Sequence, residues 1–414
     1  MRRALLRLGL VASAMLGACA PGRSPPAGPS VTPGATRTPL QLGSIASPTV
    51  ALPTIPPLPA TPTLLPLPDV SPSDWSLGPE GAPVTLLVYA DFQSPSSASL
   101  LRILFDMADR HLDDLRLIFR HLPQLPAFDK DSLAGQAAEA AGSQGAFWPM
   151  ARAMSERHAE WSVLPPQDFT PWLIALAGEL GLNIDAFESD LKNGRYAAFM
   201  MATYQEAVDS GLPGGPLLYL NGSLVRLPPT AINLESAVRL EALAATAFDQ
   251  APPMALREGA KYFATLVFDG GEVVVQLLPE AAPEAVNSFI FLAKEDWFDH
   301  TTIYRVVPDG WVEAGDPSGT GLGDAGYHLP DEIDPSWTFD EPGRLALASV
   351  GPGTGGTRFL ITLAPLPDLN GTRTIFGRVL RGLDFVQGLA ARDPIENLLD
   401  PGVVLRDVRI EFEL

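Results

Sequence analysis

The order of apolar positions in the middle of the chain predicts an α/β domain over residues 73–250. Short apolar runs rich in β-branched residues indicate buried strands, and apolar residues at helical spacing indicate helices. The predicted strands are 84–89, 115–122 and 217–220, and the predicted helices are 99–112, 131–142, 146–158, 168–181, 195–210 and 233–246. We therefore expect a helical insertion between the second and third strands of this domain.

Beyond Pro252-Pro253 the pattern changes to short strands separated by glycine-rich turns. The predicted elements are strands at 262–268, 272–278 and 408–414 and a helix at 282–293. Asp269-Gly270-Gly271 lies between the first two of these strands and is typical of a hairpin turn. Many strands with few helices predict a closed β-barrel with flanking helices over residues 261–414, after a linker at 251–260.

The first 72 residues show neither pattern. Three arginines precede an apolar stretch at 8–16, which is too short to span a bilayer, so residues 1–18 indicate a secretion signal. Fourteen of the 42 prolines fall between residues 20 and 68. Proline lacks a backbone donor and favours extended polyproline II structure, so residues 19–72 are expected to form a Pro-rich disordered stalk.

Leu16-Gly17-Ala18-Cys19 resembles the bacterial lipobox, in which the signal is cut before a cysteine that then carries lipid. The resemblance implies a lipid on Cys19 and an extracytoplasmic, membrane-anchored lipoprotein. The alternative is a chance cysteine near the end of an ordinary signal peptide. Cys19 is the only cysteine in the chain, which excludes an intramolecular disulfide and any cysteine-based metal site.

The charge of the chain is strongly acidic. The formal net charge is −20, and because five of the 28 basic residues precede Asp69 while no acid does, residues 69–414 carry 23 basic against 48 acidic groups, or −25. Such a surface repels nucleic-acid phosphates and anionic lipid headgroups. We therefore expect no nucleic-acid partner, and membrane attachment through the lipid alone.

Residues Asp91-Phe92-Gln93-Ser94-Pro95-Ser96-Ser97-Ala98 resemble the active-site turn of DsbA-like proteins of the thioredoxin fold, which usually reads Asp-Phe-x-Cys-Pro-x-Cys. Gly215-Pro216 resembles the cis-proline loop of that family. Both cysteine positions are serine here, Ser94 and Ser97, and thiol–disulfide exchange needs a thiolate. The resemblance therefore implies a redox-inactive DsbA-like domain, either a peptide-binding module beside Pro216 or a spacer.

Residues 301–308 and 315–321 resemble the cyclophilin signature Thr-x-Phe-His-Arg-Val-Ile-Pro…Gly-Gly-Asp-Pro-x-Gly-x-Gly. Further blocks of that family follow in order, namely Asp331-Glu332, 345–348, Gly351-Pro352, 356–362 and 375–379. The resemblance covers about 150 residues. It implies a cyclophilin fold and peptidyl-prolyl cis–trans isomerase activity on proline-containing polypeptides.

Isomerisation of an X–Pro bond must cross a barrier of about 18–20 kcal/mol, because amide resonance is lost in the twisted state. A cation that donates a hydrogen bond to the prolyl nitrogen stabilises that state more than the planar forms. By resemblance Arg305 is this catalytic donor. The chemistry requires no metal and no cofactor.

The resemblance also assigns the substrate-binding residues. These are Trp311, Glu313, Ala348, Ser349, Arg358, Phe359, Leu360, Leu369 and Arg373, with Phe359 at the position of the phenylalanine that lines the proline-ring pocket. Five usual pocket residues are altered: a phenylalanine is Gly310, a methionine is Trp311, two glutamines are Glu313 and Arg358, and a histidine is Arg373. These changes bear on rate and specificity rather than on fold.

Glu313 has two candidate partners, Arg305 and Arg358. An acid beside a catalytic arginine forms a charge-assisted hydrogen bond that occupies its donors. Because both glutamine positions changed, and to opposite charges, we expect Glu313 to pair with Arg358 and to leave Arg305 free.

The combined features predict a lipoprotein isomerase that assists the folding of exported proteins. The alternative is a non-catalytic peptide-binding or scaffold lipoprotein built from degenerate thioredoxin and cyclophilin folds. The sequence does not indicate the oligomeric state, the client proteins or the preferred residue before proline.

Overall fold

A computed structural model describes residues 69–400 and 402–414. The predicted secretion signal, the lipidation site Cys19 and nearly all of the predicted stalk lie outside the described residues. Within them, no helix is both long enough and apolar enough to cross a membrane.

The amino-terminal domain has the predicted α/β order. Its elements are β1 (Trp75–Leu77), β2 (Val84–Ala90), α1 (Pro95–Arg110), β3 (Leu115–His121), α2 (Asp131–Gly142), α3 (Phe147–Glu156), α4 (His158–Trp161), α5 (Pro166–Glu179), α6 (Ile184–Lys192), α7 (Ala197–Asp209), β4 (Leu217–Leu220), β5 (Ser223–Leu224) and α8 (Ala231–Ala244). Helices α2 to α7 form the insertion expected between the second and third predicted strands.

The sheet of this domain has the order β1-β3-β2-β4-β5. β2 and β3 are parallel, whereas β4 runs antiparallel to β2. Alternate residues of β2 and β3 face a core that includes Leu86, Leu117 and Phe119, onto which α1 and the inserted helices pack. The parallel pair places the carboxyl ends of β2 and β3 at one edge of the sheet, and residues 91–97, which we call the Ser94 turn, follow β2 there.

The elements that the sequence failed to predict are short or weakly apolar. β1 and β5 have three and two residues. Helix α6 buries only Phe187 and Leu191, so few of its residues show the apolar spacing of a helix. Helix α1 begins at Pro95 rather than at residue 99, because Ser94 caps it and proline suits the first helical turn.

The carboxy-terminal domain is rich in short strands, as predicted. Its elements are β6 (Lys261–Phe268), β7 (Gly271–Leu277), α9 (Pro283–Lys294), β8 (Thr301–Thr302), β9 (Arg305–Val306), β10 (Trp311–Ala314), β11 (Arg344–Leu347), β12 (Phe359–Thr362), a 3-10 turn (Pro367–Leu369), β13 (Ile375–Arg381), α10 (Leu383–Gln387) and β14 (Val404–Glu413). The hairpin between β6 and β7 turns at Asp269-Gly270, as the sequence predicts.

These strands form one nine-stranded sheet in the order β8-β14-β6-β7-β13-β11-β12-β10-β9. The sheet is a curled half-barrel with flanking helices. Its edge strands β8 and β9 are separated by only Ile303 and Tyr304, so the chain itself joins the two edges. Inside the curl lies an apolar core that includes Phe289, Phe298 and Phe359.

Candidate functional site

The Ser94 turn is held by one carboxylate. Ser94 and Ser97 donate their hydroxyl hydrogen bonds to Asp91 Oδ2 at 2.5 and 2.7 Å. Ser94 Oγ also accepts from the backbone N–H of Ser97 at 3.3 Å, which caps helix α1. Ser94 is 4% exposed and Ser97 is fully buried. The two serines therefore act as helix-capping and carboxylate-binding groups in this structure.

A second buried acid lies behind this turn. Asp131 accepts from the backbone N–H groups of Gln124 at 2.7 Å and of Phe92 at 3.3 Å. Burial, and then repulsion from Asp91, raise the pKa of Asp131 to about 7. The turn thus holds two carboxyl groups in a buried setting, with neither thiol nor thiolate.

The expected cis-proline loop is not present at Gly215-Pro216. Among the described residues the cis peptide bond lies at Leu125-Pro126, and Gly215-Pro216 is trans. Gly215 adopts φ +91°, a backbone conformation open to glycine but rarely to other residues. The prediction of a cis-proline loop beside Pro216 is therefore wrong, since the peptide bond before Pro216 is trans.

In the carboxy-terminal domain, Arg305 lies on the edge strand β9 opposite Glu313 of β10. Arg305 Nε donates to Glu313 Oε2 at 3.2 Å, and Nη1 donates to Asp393 Oδ2 at 3.4 Å. The arginine side chain is 33% exposed. Arg305 is thus accessible to a substrate while two carboxylates hold it.

The Glu313 carboxylate accepts hydrogen bonds from two side chains on its own face of the sheet. Its Oε1 accepts from Trp311 Nε1 at 2.7 Å, while Oε2 accepts from Arg305. The prediction that Glu313 pairs with Arg358 is therefore wrong. Arg305 is the direct cross-strand neighbour of Glu313, and directly opposed residues lie closer than diagonal ones.

Arg358 and Arg373 bind backbone carbonyl oxygens instead of acids. Arg358 Nη1 donates to Gly321 O. Arg373 Nη1 donates to Ser349 O and, at 3.2 Å, to Ser349 Oγ. The carbonyl oxygen of Ser349, a residue predicted to bind substrate backbone, is therefore hydrogen-bonded to Arg373 in this structure.

A second buried apolar cluster lies on the outer face of the sheet, mainly on β11, β12 and β13, and Trp311 of β10 packs against it. We call it the outer cluster; it consists of Leu278, Phe339, Ala346, Ala348, Leu360 and Ile375, with Ala281, Trp311, Trp337, Leu366 and Leu369 packed against it. Leu360 lies directly opposite Glu313 in the β10–β12 pair. Four predicted substrate-binding residues, Trp311, Ala348, Leu360 and Leu369, therefore share one apolar cluster, in which Ala348 and Leu360 are buried and Trp311 and Leu369 are partly exposed.

Phe359 lies on the other face of the same strand. Its ring packs against Phe289 and Phe298 at centroid distances of 5.7 Å inside the barrel, and it is 1% exposed. Successive strand residues point to opposite faces, so Phe359 and Leu360 cannot both line the outer cluster. The assignment of Phe359 to the proline pocket is wrong, and Leu360, which is also 1% exposed, lies on the side of the outer cluster.

Two site residues were not predicted from the sequence. Asp393 reaches Arg305 from 88 positions away, in a segment without a recognisable pattern. Tyr304 precedes Arg305 and is 1% exposed, and its hydroxyl has no hydrogen-bond partner among the described residues. Burial first, and then the nearby Glu313 charge, raise the pKa of Tyr304 well above its usual value. The Tyr304 side chain is therefore uncharged and borders the site.

The arrangement places a guanidinium donor near an apolar cluster whose partly exposed side chains include Trp311 and Leu369. The part of the chain that the structure describes contains no group of three or more His, Cys, Asp or Glu side chains placed to hold a metal ion. The chemistry available from these residues is binding and hydrogen-bond donation.

Two protein-family models match the chain. Residues 263–411 match the model described as cyclophilin type peptidyl-prolyl cis-trans isomerase/CLD. Residues 71–239 match the model described as thioredoxin. The two matches coincide with the two domains of the structure.

Several isomerases are similar to the carboxy-terminal domain over nearly their whole length. Peptidyl-prolyl cis-trans isomerase B of Bacillus subtilis is 38% identical over 146 residues, which are 35% of this chain and 95% of that protein. Peptidyl-prolyl cis-trans isomerase ppi1 of Schizosaccharomyces pombe is 37% identical over 145 residues, 34% of this chain and 94% of that protein. A crystal structure of a cyclophilin type isomerase from Cryptosporidium parvum aligns with 27% identity and a TM-score of 0.33, over 36% of this chain and 98% of that one.

Proposed function

This chain belongs to the cyclophilin-type peptidyl-prolyl cis-trans isomerases through its carboxy-terminal domain, and we propose that it isomerises X–Pro bonds of exported polypeptides outside the cytoplasm. The isomerase activity follows from the family. The extracytoplasmic setting is supported by the secretion signal and lipobox read in residues 1–19. The proposed clients are proline-containing segments of unfolded or newly exported proteins.

The observation that carries the proposal is the position of Arg305 beside the outer cluster. The family's arginine is retained on an edge strand, 33% exposed. At the twisted state the lone pair of the prolyl nitrogen is localised and accepts a hydrogen bond from the guanidinium. Trp311 and Leu369, which are partly exposed members of the outer cluster, supply the apolar surface for the proline ring. A non-catalytic scaffold is not favoured, because the family's arginine is retained beside this cluster.

The thioredoxin-like domain is proposed to be redox-inactive. Ser94 and Ser97 stand where the related oxidoreductases carry cysteine, and both hydroxyls bind Asp91. A hydroxyl cannot take part in thiol–disulfide exchange. This domain therefore contributes to the function by something other than redox chemistry.

The proposed anchor is a lipid on Cys19, which lies outside the described residues. With 25 excess acidic charges in residues 69–414, the folded domains have no electrostatic attraction to anionic membranes. Membrane attachment thus depends on the lipid.

The activity is tested with the full-length protein, purified in detergent, and a proline-containing tetrapeptide whose cis form is followed by absorbance. We expect wild-type protein to accelerate isomerisation and Arg305→Ala to lower kcat/KM by about 100-fold, as for loss of one positioned donor. Arg378→Ala is the matched control, since Arg378 is exposed on β13 and binds Gln276. Equal activity of Arg305→Ala and wild type would refute the assigned role.

A further inference from the structure

The segment 316–326, which we call the Asp316 loop, is organised around one buried carboxylate. Asp316 Oδ1 accepts from the backbone and hydroxyl of Ser318 at 2.8 and 2.6 Å. Its Oδ2 accepts from the backbone N–H groups of Gly321 at 2.7 Å and Gly323 at 3.1 Å. Asp316 is fully buried. One side chain therefore ties together residues 316–323 of the loop.

One side of the Asp316 loop contacts the isomerase site. Arg358 donates to Gly321 O. A Cβ at Gly321 would lie 3.2 Å from the Tyr304 ring and 3.7 Å from Pro394, which follows Asp393. The loop thus provides the acceptor that orients Arg358, and it packs against the residues next to Arg305 and its partner Asp393.

The other side of the loop contacts the last helix of the thioredoxin-like domain. Arg239 Nη1 of α8 donates to Ser318 O at 3.4 Å. A Cβ at Gly323 would lie 2.6 Å from the Leu243 side chain. Helix α8 therefore lies directly against the loop, and there is no room there for a larger residue.

The segment after α8, residues 245–255, continues this contact; we call it the arm. Phe248 N donates to Ala325 O at 2.7 Å, and a Cβ at Gly326 would collide with Phe248 O. The Phe248 ring packs on Phe291 at 5.1 Å and on Trp297 at 5.8 Å. The Phe248 side chain thus packs the arm against the carboxy-terminal domain.

Further along, the arm is bound by a single side chain. Asn287 of α9 donates to the carbonyl oxygens of Pro252 and Pro253 at 3.3 and 3.1 Å, and its Oδ1 accepts from Ala255 N at 2.9 Å. The region predicted as a linker is therefore bound in place for half of its length. Because Asn287 binds the backbone of residues 252–255, this part of the chain is not a flexible linker.

Helix α8 is equally fixed to its own domain. Glu235, which is fully buried, accepts from Arg110 at 3.0 Å, from His111 at 3.0 Å and from Arg239 at 2.7 Å. Arg239 consequently joins the buried acid of one domain to Ser318 of the other. A continuous set of contacts leads from the thioredoxin-like domain to the Asp316 loop and on to Arg358.

We propose that α8 and the arm are a positioning element of the isomerase: they hold the Asp316 loop, and the loop holds Arg358 at the border of the substrate site. This inference rests on the proposed function and assigns a role to the thioredoxin-like domain, which has lost its thiols. Phe248 and Arg239 are positioning residues in this account. They act on substrate binding through Arg358 without touching substrate.

The test compares Phe248→Ala with Phe385→Ala in the full-length protein. Phe385 is a matched control, since it is also a partly buried phenylalanine on the same core, packing on Phe268 at 5.8 Å, but it lies away from the loop. We expect Phe248→Ala to raise KM about tenfold with kcat changed less than twofold, as for a displaced substrate-positioning group. Phe385→Ala should leave KM unchanged, and Phe248→Leu should recover most of the lost affinity.

A double-mutant cycle separates positioning from general loss of stability. If Phe248 acts through Arg358, Phe248→Ala combined with Arg358→Ala should raise KM no more than Arg358→Ala alone. Multiplied effects of the two changes would overturn the proposal. So would an unchanged KM in Phe248→Ala.

Hydrogen exchange tests the same contact independently of activity. The amides of Gly321 and Gly323 should exchange about tenfold faster in Phe248→Ala than in wild type or Phe385→Ala. Should wild-type protein fail to isomerise any peptide, the proposed function fails, while these exchange rates still decide whether the arm holds the loop. Unchanged exchange at both glycines would overturn the inference even in an active enzyme.

Discussion

Replacing Glu313 by glutamine should make the isomerase faster. The Glu313 carboxylate accepts from Arg305 Nε at 3.2 Å and from Trp311 Nε1 at 2.7 Å. Glutamine has nearly the same shape and keeps one acceptor oxygen, but it removes the negative charge that attracts the guanidinium. We expect kcat/KM to rise, because Arg305 is then a stronger and less restrained donor to the prolyl nitrogen.

The size of the effect follows from the exposure of the pair. Arg305 is 33% and Glu313 15% exposed. The pair therefore lies between a surface ion pair, worth about 0.2–1 kcal/mol, and a charged hydrogen bond in the interior, worth about 1.5–3 kcal/mol. Lowering the activation free energy by about 1 kcal/mol corresponds to about a fivefold rise in kcat/KM.

Two controls accompany this variant. Asp393→Asn removes the other carboxylate, which lies farther away at 3.4 Å and is 41% exposed, so its gain should be smaller. Glu341→Gln removes an exposed acid paired with Arg344 and should change nothing. The assay measures kcat/KM with a proline-containing tetrapeptide. A fall in the rate with Glu313→Gln would refute the reasoning, since Glu313 would then be needed to aim Arg305.

Three other outcomes are expected. Burial alone would raise the pKa of Glu235, but the hydrogen bonds from His111 and Arg110 and the charge of Arg239 lower it to about 2. Since this shift means that the ionised form stabilises the fold by about 3 kcal/mol relative to the neutral form, Glu235→Gln should cost a stability of that order at pH 7 in denaturant titrations. This cost should shrink as the pH falls from about 4.5 towards 2, whereas Glu241→Gln on the same helix should show none. The protein should not reduce insulin above background at any ratio of reduced to oxidised glutathione. Measurable reduction would show that the thioredoxin-like domain is redox-active. Cys19→Ser should move the protein from the membrane fraction to the soluble fraction, and unchanged partitioning would exclude lipidation.

The regular elements of both domains follow from the sequence because their apolar residues form recognisable patterns. The strands on either side of Asp269 alternate between buried and less buried residues, whereas the run over 84–89 is buried almost throughout and was recognised by its short length and β-branched residues. Elements without such a pattern were missed, as with β1 and α6. The binding of residues 251–255 could not be predicted either, since Asn287 supplies it from 32 to 35 positions away.

The site was partly predictable, and the errors have separate causes. Resemblance located Arg305 and the strands around it, but it placed Phe359 in the pocket although strand alternation puts Phe359 and Leu360 on opposite faces. That error was avoidable from the sequence, because a four-residue strand has only two faces. Asp393 carries no sequence signal, because its contact with Arg305 depends on the path of a loop.

The pairing of Glu313 shows how local geometry outweighs charge complementarity. Val306 and Arg305 face Val312 and Glu313 across a tight hairpin, so Glu313 meets Arg305 directly. In the other neighbouring strand Leu360 lies opposite Glu313, which leaves Arg358 in the diagonal position. Diagonal partners are farther apart, at about 7–8 Å against 4.5–5.5 Å. Arg358 therefore takes the closer carbonyl of Gly321.

Glu313 and Asp393 occupy only some of the hydrogen-bond donors of Arg305. A guanidinium has five N–H groups. Among the described residues, Glu313 engages one through Nε and Asp393 engages one through Nη1. Three N–H donors of Arg305 are then not engaged by the two acids, and the side chain as a whole is 33% exposed. The altered pocket should therefore restrain the family's chemistry without abolishing it, and the rate gain on removing the Glu313 charge measures that restraint.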